Sequence, residues 1–223
     1  MLQTVASGLG DLNKRVVFVG GVVAELYADD PGASEIRATQ DVDCVIELTT
    51  RKMHAEFEEE LRKREFVNDT SKGAPICRWT YKNIKVDIMP AADEVLGFSN
   101  RWYASGFQNK ITKDLPDGTQ IFILSPQYYI ATKFEAHKSR GGDDLRQSHD
   151  FEDIIYIMDN CTEVVDIIKG SNSDIKEYLK LEAGKLIEYS GINEGVECAL
   201  PYGSDSDRVE IILERLSEIS EME

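Results

Sequence analysis

The chain has 223 residues, 42% hydrophobic and 30% charged, an ordinary globular composition that allows one large domain or one domain with a helical addition. Its 41 acidic residues against 25 basic give a formal charge of −16, which argues against a large non-specific nucleic-acid surface, although Lys and Arg cluster in RKMHAEFEEELRKREF and HKSRGGDDLR. The N-terminal MLQTVASGLGDLNKR has no apolar h-region, no apolar run approaches bilayer length, and neither the four cysteines nor the three histidines show zinc spacing. The expectation is a cytoplasmic protein with buried, reduced thiols and no membrane partner.

In chain order, RVVFV (15–19) reads as a strand ending in Gly20-Gly21, and VVAELYA (22–28) as a short helix. DDPGASEIRA (29–38) is a loop by its Pro, Gly and Ser content. DCVIEL (43–48) is a strand, and Thr49-Thr50 cap a helix over 51–65 in which Met53, Phe57 and Leu61 recur every four residues. EFVND, PICRWTY and IKVDIMP read as three further strands, the last two joined in a hairpin by a polar turn at Asn83. QNKITKDLPDGTQIFIL (108–124) is another hairpin turning at Pro116-Asp117-Gly118. From Ser125 the pattern is helical: Ser125 as N-cap with Pro126 first in the helix, then HDFEDIIYIMDN, one or two helices over 161–190, and a terminal amphipathic helix from Ser204. Trp79, Tyr128 and Tyr129 read as core. The fold class expected is α+β: a strand-rich region over 1–124, then a helical subdomain over 125–223.

One feature of this pattern conflicts with strand propensity. Asp41-Val42-Asp43 puts two carboxylates on one face of a strand, since residues i and i+2 point the same way. Asp87 in IKVDIMP is a single acid in an otherwise apolar strand. If the two strands are neighbours, three anions meet and raise each other's pKa. A divalent cation would relieve this, and an all-oxygen donor set selects Mg²⁺ or Mn²⁺. Gly20-Gly21, between a strand and a helix, lets backbone N–H groups approach an anion beside a helix N-terminus. A lone DxD carries little weight in a chain with 41 acidic residues. The order β-GG-α, DxD, single Asp carries more, and describes a site for a nucleoside triphosphate.

With Val19-Gly20-Gly21, Asp41-Val42-Asp43 and Asp87 in that order, the chain resembles the nucleotidyltransferase superfamily with the DNA-polymerase-β-like fold. The long interval between GG and DxD, with Arg37 and Thr39 just before the DxD, is similar to AbiEii-type toxins of bacterial toxin–antitoxin systems. Lys133 on a helix and Asp150 and Asp153 in HDFED extend the likeness; His149 stands where that family has Arg. The resemblance covers residues 15 to about 160.

It implies a mixed sheet flanked by helices as a catalytic core. Asp41, Asp43 and Asp87 would be catalytic residues and metal ligands, with Mg²⁺ or Mn²⁺ as cofactor. Gly20, Gly21, Arg37, Thr39, Lys133 and Asp150 would bind nucleotide. The activity implied is transfer of a nucleoside monophosphate from a nucleoside triphosphate to a hydroxyl acceptor, which is a small molecule, a protein or a tRNA end. A toxin would also have an antitoxin protein as partner. Kinase-like phosphoryl transfer on the same fold and a non-catalytic nucleotide-binding or interaction module stay open as alternatives.

Overall fold

The computed structural model describes the chain except Pro31, Ser34, Glu35, Thr49, Phe98 and Asp143 and the side chains of Asp93 and Glu94. The protein is α+β, and it divides into two compact units. The first comprises Met1–Val23 and Arg37–Ser125, the second Ala24–Ile36 and Pro126–Glu223.

The first unit is built on a mixed seven-stranded sheet. Its elements are α1 (Leu2–Leu9), β1 (Val16–Val19), β2 (Asp41–Ile46), α2 (Arg51–Lys63), β3 (Val67–Asn68), β4 (Arg78–Tyr81), β5 (Ile84–Pro90), α3 (Asp93–Leu96), α4 (Tyr103–Gln108), β6 (Lys110–Asp114) and β7 (Gln120–Leu124). The strand order is β3-β4-β5-β2-β1-β7-β6. Strands β2 and β5 run parallel, as do β1 and β7; the other neighbouring pairs are antiparallel. The interior strand β1, VVFV, is buried on both faces, as its unbroken apolar run requires.

Local chemistry explains several boundaries. The β4–β5 hairpin turns on Lys82 and Asn83, both with positive φ (46° and 64°), the conformation a two-residue hairpin loop needs. Gly118, at φ 83°, supplies the left-handed residue of the β6–β7 turn. Thr50 caps α2 by accepting the Met53 N–H at 3.2 Å, while the expected partner Thr49 lies outside the described residues.

The second unit is helical: α5 (Pro126–Arg140), α6 (His149–Asn160), α7 (Val164–Lys169), α8 (Ser173–Glu188), α9 (Ile192–Ala199) and α10 (Ser206–Ser220). Its core includes Tyr129, Ile130, Phe134, Ile154, Ile157, Leu179 and Leu216, all at most 3% exposed. Ser148 caps α6, accepting the Phe151 N–H, and Asn172 caps α8. Trp79, Tyr128 and Tyr129 are core, as expected.

Several expectations need correction. The short helix expected over 22–28 is present as a 3-10 helix over Gly21–Tyr27. The DxD strand starts at Asp41 and ends at Ile46, two residues earlier than DCVIEL suggests, because β5 pairs it from Asp41 onward. Ser125 precedes α5, but its hydroxyl is buried without a hydrogen-bond partner instead of capping the helix. Three cysteines are buried as expected; Cys198 is exposed, and all four are free thiols. Helices α1, α3, α4 and α9 were not legible in the pattern. Among the described residues no helix is long and apolar enough to cross a membrane.

Candidate metal and anion centre

The sheet register brings the three carboxylates together. Parallel pairing of β2 with β5 sets Asp43 opposite Asp87 and Asp41 opposite Lys85. Paired residues share a face, and Asp41 shares it with Asp43 by alternation. One carboxylate oxygen from each of Asp41, Asp43 and Asp87 lies within 4.8 Å of the others. Asp87 is buried and the other two half-buried. Oxygens on opposite sides of an octahedral Mg²⁺ stand about 4.2 Å apart, so the set fits such an ion with small adjustments.

The carboxylates are not uncompensated, contrary to the expectation from sequence. Arg78 on β4 stands opposite Asp87 in the antiparallel register and grips it with both ends of its fork. Its Nε donates to Asp87 Oδ1 at 2.8 Å and a terminal nitrogen to Oδ2 at 2.7 Å. The same terminal nitrogen reaches Asp41 Oδ2 at 3.5 Å. These carboxylate hydrogen bonds push the already strongly basic guanidinium further into its charged form, against the opposing cost of partial burial. Arg78 was missed at the sequence level. Counting outward from the Lys82-Asn83 turn would have found it, since Tyr81 meets Ile84 and three steps further out Arg78 meets Asp87.

The diglycine turn lies against the same cluster. Val19 pairs with Asp43 across β1 and β2, so Gly20 follows directly at the acidic end. Gly20 has φ 75°, and a Cβ there would fall 2.1 Å from Asp43 Oδ2. A Cβ on Gly21 would fall 2.7 Å from an Arg37 terminal nitrogen and 2.8 Å from Thr39 Cγ2. The two glycines thus leave room for the DxD carboxylate and for the Arg37 and Thr39 side chains. Burial raises the Cys44 thiol, helped by the charges of Asp43 and Asp87, and likewise pushes Cys77 up to about 11; both thiols stay protonated.

Seven of the nine predicted residues therefore meet in the first unit: Gly20, Gly21, Arg37, Thr39, Asp41, Asp43 and Asp87. Lys133 and Asp150 meet each other in the second. Lys133 Nζ lies 2.5 Å from Asp153 and 3.3 Å from Asp150, all three buried, and Arg140 closes on Asp150 at 2.7 and 3.0 Å. Burial pushes the Asp150 carboxyl up, but the Arg140 hydrogen bonds and the Lys133 charge outweigh it and leave the pKa lowered. A cleft of about 450 Å³ in this unit, lined by Phe134, His137, Lys138, Leu145, Glu182 and Tyr189 among others, contains none of the predicted site residues. No protein-family model matches the chain, and neither does any curated protein.

Proposed function

We propose that the protein is a metal-dependent nucleotidyltransferase that moves a nucleoside monophosphate from a nucleoside triphosphate to a hydroxyl acceptor. The observation that carries this reading is the convergence of Asp41, Asp43 and Asp87 beside the Gly20-Gly21 turn, with Arg37 against the turn. Asp41, Asp43 and Asp87 would hold Mg²⁺ or Mn²⁺, which when bound supplies charge neutralisation and activation of the acceptor hydroxyl. Arg37 and the glycine N–H groups would face the triphosphate oxygens and take up charge that grows on the leaving pyrophosphate. The acceptor oxygen forms a bond to the α-phosphorus as the α–β bridging bond breaks. The acceptor proton passes to Asp87 or to solvent, and pyrophosphate leaves. By resemblance, Lys133 and Asp150 would bind nucleotide. The likeness to AbiEii-type toxins extends the proposal to a toxin restrained by an antitoxin.

One observation favours a second reading. Arg78 already compensates Asp87 and reaches Asp41, as a non-catalytic nucleotide-binding module would tolerate. A single experiment separates the readings: the protein, Mg²⁺ and cell extract incubated with each nucleoside triphosphate, α-labelled and γ-labelled in parallel, where no transfer of either label supports the non-catalytic module. Label transferred with pyrophosphate release supports nucleotidyl transfer and identifies the acceptor as small molecule, protein or tRNA. Transfer of γ-label alone identifies a phosphotransferase. Label in Asp43→Asn equal to the parent would remove the carboxylates from the mechanism.

A further inference from the structure

The geometry points to Arg78 as a built-in competitor of the divalent cation: a positioning residue that holds Asp87 and Asp41 together in the metal-free protein and must release Asp87 for the cation to bind. This rests on the metal-site reading above and concerns when that site can fill.

Asp87 offers two oxygens, and Arg78 donates a short hydrogen bond to each, at 2.8 and 2.7 Å. Such a bidentate fork occupies the lone pairs best placed for a shared ligand and fixes the carboxylate plane. Arg78 also reaches the Asp41 oxygen, so it spans two of the three carboxylates that would hold the cation. The competition is electrostatic as well as steric. Three carboxylates present a charge of three negative units to an incoming ion, and Arg78 cancels one of them from within hydrogen-bond distance. At 19% side-chain exposure the guanidinium is only partly screened by water. It stays charged at every working pH, so deprotonation cannot clear it away.

The arrangement also has a built-in route to release. Arg78 sits on β4, four residues before the turn residue Lys82 and on the strand next to the one that carries Asp87, so a rotamer change frees it without moving the sheet. The phosphate oxygens of an arriving nucleotide offer the displaced guanidinium a replacement of the same geometry. Free metal then binds weakly, and metal arriving with a polyphosphate binds well. A protein built this way avoids holding a reactive cation in the absence of its substrate.

The test uses Mn²⁺ alone, with no nucleotide, followed by electron paramagnetic resonance and calorimetry on the whole chain. Parent, Arg78→Gln, Arg78→Lys and Asp43→Asn are compared after circular dichroism shows each is folded. Arg78→Gln is expected to bind Mn²⁺ at least about tenfold more tightly than the parent, because one positive charge has been taken from beside the site. Arg78→Lys, which keeps the charge but loses the fork, falls between them and stands in for the Gln variant if that variant does not fold. In the parent, the Arg78 Nε–H resonance, identified by its loss in Arg78→Lys, shifts as Mn²⁺ is replaced by diamagnetic Mg²⁺ in a titration. Equal or weaker Mn²⁺ binding in both Arg78 variants, or an unmoved Nε–H signal while Mg²⁺ binds, overturns the competitor role and leaves the metal site standing. Absence of Mn²⁺ binding in the parent and in every Arg78 variant overturns the metal site and this inference together, a pattern distinct from the first.

Discussion

The Gly20 position shows how much one hydrogen in place of a methyl decides. Gly20 and Gly118 share a left-handed backbone, at φ 75° and 83°, but only Gly20 faces a neighbour where its Cβ would be. Either residue changed to Ala loses about 1–2 kcal/mol to the backbone conformation. Gly20→Ala should lose more than Gly118→Ala in urea unfolding, and should also lose Mn²⁺ binding, because its methyl displaces the Asp43 carboxylate. Equal losses and intact binding would mean that the turn and the acidic cluster are independent. His137 makes a second residue-scale case. Its Nδ1 lies 2.7 Å from Ser148 Oγ, which itself accepts the Phe151 N–H. Burial lowers the imidazole pKa, while Asp150 and Glu182 pull it the other way. A base with a lowered folded pKa stabilises the fold when neutral. The contribution is complete above the unfolded value of about 6.5 and is lost as pH falls through the lower folded value. The drop in urea midpoint from about pH 7.5 to about pH 5.5 should therefore shrink in His137→Gln.

Elements are fixed where a side chain answers an orphan backbone group. Thr50 does so for α2, whose buried face is narrow, with Phe57 and Leu61 inward and a highly charged remainder outward. Its acidic and basic residues pair along the helix, Arg62 with Glu58 and Glu59 and Lys63 with Glu60, but these pairs are largely exposed and worth little each. The cap therefore carries a large share of the local preference. Thr50→Ala should cost about 1 kcal/mol, read as a lower thermal midpoint with an unchanged core spectrum. The β4–β5 hairpin is the other decisive element. Its two-residue turn sets the register, and that register is what puts Arg78 beside Asp87.

On the scale of the whole molecule, charge is the dominant feature. A net −16 over 223 residues sets up repulsion among like charges that works against the compact state. Raising ionic strength from about 0.01 M to about 0.15 M shortens the Debye length from roughly 30 Å to roughly 8 Å. The thermal midpoint should rise over that interval; a fall would mean that the exposed ion pairs outweigh the repulsion. Each unit encloses its own core. The first has a sheet whose interior strand β1 is wholly buried, and the second has helices around Tyr129, Ile154 and Leu216.

The sequence by itself was enough to give the α+β class, the hairpin turns, most strand and helix spans, and the grouping of Asp41 with Asp43, because these follow from periodicity and turn chemistry within a few residues. Short helices such as α3 and α4 escaped because a single turn carries too little periodic signal. Only the tertiary structure decided that β5 lies beside β2 in the register that faces Asp43 with Asp87, and hence that Arg78, set opposite Asp87 by the local hairpin turn, also reaches Asp41. Strand neighbours far apart in sequence are chosen by how whole surfaces pack, a sum over many weak contacts that no local pattern encodes.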